Sequence, residues 1–170
     1  GMTDSPTSGG ASPVPTNLGA DVAGIGDFND DGRNDFAIGV PFGNALRGMV
    51  WIFFGQPSTF TWPTTITQTS PTACPAEVDV CILSDDDAAG VGDDESVFLG
   101  WSLAPAGDFD GDGVDDLIVG GPSNDVSNQG HVYIVLGGAG YTSGTTQDVP
   151  GSGPTEADGF HLPSTQSLPW

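Results

Sequence analysis

The chain has 170 residues, including 27 glycines and 14 prolines, with 36% hydrophobic residues and a formal net charge of −21 from 23 acidic and two basic side chains. That length suits one domain with a modest core. The charge argues against nucleic acid, whose phosphates would be repelled, and against an anionic membrane surface; cations or basic partners are its natural counterparts. No apolar stretch approaches the roughly 20 residues that span a bilayer.

In chain order, residues 1–16 are a small-polar and proline tract, predicted to be a flexible N-terminal segment. The opening Gly1-Met2 reads as the remnant of a removed tag, with any natural signal cut away alongside it. "GDFNDDGRNDF" (26–36) follows, an acidic turn running into the compact apolar "DFAIGV". "MVWIFF" (49–54), rich in β-branched and aromatic residues and bounded by glycines, is a further strand. Residues 56–77 are threonine- and proline-rich and read as a surface excursion, with "TTIT" (64–67) able to add a strand. Cys74 and Cys81 lie seven residues apart with no third ligand at zinc spacing. A small disulfide loop is expected over free thiols, and it implies an oxidising compartment. The acidic, glycine-rich run 84–96 reads as a solvated loop.

The second half repeats the first. "GDFDGDGVDDLIVGGP" (107–122) aligns with "GDFNDDGRNDFAIGVP" (26–41) at a constant offset of 81, and "HVYIVL" (131–136) answers "MVWIFF". A weaker match sets "DGFHLPS" (158–164) against "VDVCILS" (78–84). Residues 139–157 are expected to link strands of the second unit. No segment sustains a helical apolar period, so each unit is three or four antiparallel strands with turns set by glycine, proline, asparagine and aspartate. Trp51, Phe53 and Tyr133 are expected in the core, and Trp62 and Trp101 are less predictable. His131 is read as a surface or packing residue, and His161 has no acidic partner at fixed spacing.

Numbered from its first aspartate, each acidic loop carries oxygen ligands at positions 1, 3, 5 and 9. These are Asp27, Asn29, Asp31 and Asp35 in the first loop, and Asp108, Asp110, Asp112 and Asp116 in the second. Position 6 is glycine in both, Gly32 and Gly113, which permits the positive φ of a tight turn. The backbone carbonyls of Arg33 and Val114 at position 7 can turn inward as further ligands. Five or more hard oxygens at one centre suit Ca²⁺, with its 6–8 ligands at about 2.4 Å, better than Mg²⁺. Two carboxylates about 4 Å apart repel by roughly 4 kcal/mol at an effective dielectric near 20, and a divalent cation reverses that sign. An EF-hand needs a bidentate glutamate at position 12; here Ile38 and Val119 stand there, inside apolar strands.

These residues resemble the FG-GAP repeat family, the blades of the integrin α-subunit β-propeller. Leu18-Gly19 and Leu99-Gly100 stand at the Phe-Gly start. The acidic loops follow, then Gly39-Val40-Pro41 and Gly120-Gly121-Pro122, and finally the strands beginning at Gly48 and Gly130. The resemblance implies an all-β fold of two antiparallel four-stranded propeller-type blades, residues 17–84 with an insert at 56–77 and residues 85–170 with a C-terminal linking strand. It implies one structural Ca²⁺ per blade, two in all, and a non-enzymatic role in extracellular or cell-surface recognition or adhesion of a protein or carbohydrate ligand.

Two alternatives stand beside it: an accessory propeller region of a secreted enzyme, and a structural unit of a surface layer. A closed propeller takes four to eight blades. Two blades imply a partial propeller within a longer parent chain, a homo-oligomer that completes blades by exchanging strands, or inserts that cover what is left open.

Overall fold

The computed structural model describes residues 16–67, 74–85, 98–122, 130–150 and 159–161. Among these the chain forms strands, turns and one 3-10 turn, Asn44–Leu46, with no α-helix and hence no helix long and apolar enough to cross a membrane. The strands are β1 Val22–Gly26, β2 Asp35–Val40, β3 Met49–Phe53, β4 Val80–Asp85, β5 Ser102–Gly107, β6 Asp116–Gly121, β7 His131–Val135, β8 Thr145–Pro150 and β9 Gly159–His161. They make two sheets, in the orders β1-β2-β3-β4-β8 and β5-β6-β7-β9. Every pairing is antiparallel except β4 with β8. The fold is all-β, two blade-like sheets that do not close into a ring.

The sequence repeat survives in the strand register. Ile38 sits opposite Trp51, and Val119 opposite Tyr133. Each first hairpin is irregular at the same place, between Gly24 and Gly26 and between Pro105 and Gly107. The weak match at the end of each unit is also structural: Val80 pairs with Ile52 as Phe160 pairs with Ile134.

The two sheets share one core. Ile25, Ala37, Val50, Ile52, Val80 and Ile82 from the first sheet meet Leu99, Leu103, Leu117, Val119, Tyr133 and Val135. Alternate residues of β3 point the other way, so Met49, Trp51 and Phe53 belong to a second cluster on the outer face. All five residues of β3 are therefore buried, which is why its sequence shows no polar alternation.

That outer face is covered by the chain's own insert. Ile66 and Cys74 pack on it, and Trp62 lies 5.9 Å from Phe36 and 6.4 Å from Phe53, ring centre to ring centre. "TTIT" forms no strand; Ile66 makes a single bridge and buries its side chain. The expected disulfide joins Cys74 to Cys81 of β4, so the returning end of the insert is fastened to the sheet it covers. The segment expected only to link strands contains β8, which crosses from the second unit to add a parallel strand beside β4. The remaining part of the acidic run, from residue 86, lies outside the described residues.

Backbones touch where the sheets meet. Leu99 donates its amide to the Arg47 carbonyl at 3.0 Å, and Leu103 donates to the Asp21 carboxylate at 2.8 Å. A Cβ on Gly39 would sit 1.9 Å from the Gly100 carbonyl oxygen, whereas one on the equivalent Gly120 would meet nothing closer than 3.6 Å. Gly39→Ala is therefore expected to cost about 3 kcal/mol, the upper end for forcing an atom into a packed site. Gly120→Ala should cost less than about 1 kcal/mol. Urea unfolding of both variants checks this pair; equal losses would contradict the seam.

Candidate metal centre

Each acidic loop joins the first two strands of its sheet. A glycine opens it, Gly26 at φ 69° and Gly107 at φ 64°, and a second glycine bends it, Gly32 at φ 86° and Gly113 at φ 96°. Within the turn the first aspartate organises the backbone. Asp27 accepts the amides of Asp31 and Gly32, both at 2.8 Å, and Asp108 accepts those of Gly111 at 2.7 Å and Gly113 at 3.0 Å. The position-5 aspartate accepts the amide two residues on: Asp31 from Arg33 at 2.9 Å, Asp112 from Val114 at 2.8 Å. These aspartates thus wind the loop by accepting its own backbone amides.

The position-9 aspartates do more than the sequence indicated. Asp35 and Asp116 are buried, at 2% and 1% exposure. One oxygen of each accepts the amide of the loop's second residue, Phe28 at 2.9 Å and Phe109 at 2.7 Å. The other accepts an amide just beyond the third strand, from Gly55 at 2.7 Å and Gly137 at 2.8 Å. A single carboxylate therefore ties the loop to three strands. Burial raises the Asp35 pKa above its ordinary value, an effect that the amides of Gly55 and Phe28 offset only in part. The available sequence signal was the glycine after each third strand. A Cβ on Gly55 would lie 2.6 Å from the Asn34 carbonyl oxygen, and one on Gly137 would lie 2.3 Å from that of Asp115.

The second loop gathers its ligands more completely. Carboxylate oxygens of Asp108, Asp110 and Asp116 all lie within 4.8 Å of one another. Two oxygens bound to the same Ca²⁺ at about 2.4 Å can be no more than about 5 Å apart, so the trio matches that sphere. Asp112 stands outside the trio, its Oδ1 turned to the Val114 amide. In the first loop Asp27, Asp31 and Asp35 form no such trio among the described residues. Asp31 instead pairs with the Arg33 guanidinium at 3.1 Å. Asn29 Oδ1, however, is buried there with no hydrogen-bond partner. An orphaned acceptor costs about 1–3 kcal/mol, and a cation among Asp27, Asn29 and Asp35 would satisfy it. The residues present fit a hard divalent cation in both loops.

Comparison with known proteins agrees with the repeat. The FG-GAP repeat pattern matches residues 18–53 and 99–135. Integrin alpha-5 of Xenopus laevis is 36% identical over 105 residues, 61% of this chain and 8% of that protein. Integrin alpha-8 of Mus musculus is 56% identical over 41 residues, 24% of this chain and 4% of that protein. Integrin alpha pat-2 of Caenorhabditis elegans is 30% identical over 159 residues, covering 88% of this chain and 12% of that protein. The chain thus spans between 4% and 12% of the length of these relatives.

Proposed function

Because the chain carries two FG-GAP repeats, homologous to those of integrin alpha subunits, we propose that it is a Ca²⁺-stiffened, non-enzymatic recognition or adhesion module that works outside the cell. The observation that carries the cation reading is the convergence of Asp108, Asp110 and Asp116, supported by the orphaned Asn29 Oδ1 at the equivalent place in the first loop. Asp27, Asn29, Asp31, Asp35 and the Arg33 carbonyl hold the first ion. Asp108, Asp110, Asp112, Asp116 and the Val114 carbonyl hold the second. The ion offsets carboxylate repulsion and stiffens the turn, and it takes part in no reaction. A protein or carbohydrate ligand then engages other loops of the blades. The Cys74–Cys81 disulfide suits an oxidising, extracellular setting.

Isothermal titration should find two Ca²⁺ per chain, the second loop binding about tenfold or more tightly than the first. The second loop has an aspartate, Asp110, where the first has Asn29, and the first must also give up the Arg33–Asp31 pair. Asp112→Ala should remove the tighter site and Asp31→Ala the weaker. Absence of binding at millimolar Ca²⁺ would overturn the reading, and a tighter first site would overturn the ranking.

A further inference from the structure

We propose that the two cation loops are energetically coupled and that Asp115 is the positioning residue that couples them, an inference that rests on the Ca²⁺ reading above. Asp115 lies between Val114 and Asp116, inside the ligand stretch of the second loop, yet its side chain leaves that loop. Its Oδ2 accepts the backbone amide of Asp27, the first ligand of the other loop, at 2.9 Å. The contact is reciprocal, since the Asp115 amide points to the Asp27 carbonyl at 3.4 Å and Gly138 donates to the Phe28 carbonyl at 2.8 Å. Phe28 packs on Tyr141 with ring centres 4.8 Å apart. Gly26 leaves the space for this carboxylate: a Cβ there would lie 1.9 Å from Asp115 Oδ2. The counterpart of Asp115 in the first loop is Asn34.

The physical consequence follows from what each ion orders. A cation on Asp108, Asp110 and Asp116 fixes the backbone on both sides of Asp115. The fixed carboxylate in turn fixes the Asp27 amide and with it the start of the first loop, so part of the ordering cost of the first site is already met. Direct electrostatics act in the opposite direction, because one bound dication weakens the field that draws the next. Salt near 0.15 M screens that effect beyond about 8 Å but leaves the hydrogen bond intact. The net coupling at that salt is positive.

The test is a Ca²⁺ titration at 0.15 M salt that follows the Gly32 amide resonance, which reports the first loop alone. Asp110→Ala, which empties the second loop, should weaken the first by about fivefold or more and should speed hydrogen exchange at the Asp27 amide. In an Asp115→Ala background the same change should leave the first loop's affinity unaltered. Asp115→Asn keeps an acceptor oxygen of the same reach and should restore the coupling, which a merely structural loss would not do. Two bound ions with a first loop indifferent to Asp110→Ala, or equally sensitive to it without Asp115, would overturn the coupling and leave the Ca²⁺ reading standing. A chain that binds no Ca²⁺ would overturn both.

Discussion

Asp35→Ala and Asp116→Ala are each expected to cost about 3–5 kcal/mol of folding stability even without Ca²⁺, and more in its presence, where a cation ligand is lost as well. Each carboxylate is buried and accepts two backbone amides. Truncation leaves both amides without partners, at about 1–3 kcal/mol each, and opens a cavity at the meeting point of three strands. For a chain of this length that is a fall in melting temperature of roughly 10 °C. Asp→Asn should lose about half as much, because one oxygen remains and an NH₂ faces the other donor. Urea unfolding in the presence of a chelator is the discriminating condition, since these hydrogen bonds need no ion. A loss under about 1 kcal/mol there would show that the position-9 aspartates act only as cation ligands.

The sequence made this role hard to see for a definite reason. Spacing identifies Asp35 and Asp116 as the ninth positions of acidic loops, but their amide partners, Gly55 and Gly137, lie about 20 residues downstream. The strands themselves were legible because "DFAIGV", "MVWIFF" and their repeats are compact apolar runs closed by glycine or proline, and the register confirms the repeat pair by pair. Features set by tertiary contact were not legible. "TTQDVP" of β8 carries no alternation that would announce a parallel partner in the other unit. The threonine- and proline-rich insert reads as surface, yet Ile66 anchors it over the outer face of the first sheet. That cover also replaces part of the problem posed by two lone blades, since one sheet face that would need a neighbour is closed from within. Asp115 looked like one more acid in an acidic turn, and only the packing of the two loops separates it from the ligands around it.

Removal of Ca²⁺ is expected to have the largest effect of all. A ligand present at 100 times its dissociation constant stabilises a folded chain by about 2.7 kcal/mol, so two such sites contribute about 5 kcal/mol. At roughly 2–4 °C per kcal/mol, chelation should lower the melting temperature by about 10–20 °C. Chelation takes from the buried Asn29 oxygen the cation that would satisfy it, and leaves the repulsion among Asp108, Asp110 and Asp116 without a counter-charge. Part of the loss should remain in Asp110→Ala, which keeps the first loop's site.

The most direct test of a structural cation is therefore thermal melting of the purified chain in Ca²⁺ and in a chelator, with its mass in solution measured under both conditions so that self-association is not mistaken for stabilisation. A fall of about 10–20 °C on chelation at unchanged mass is the predicted result, and an unchanged melting temperature would contradict it.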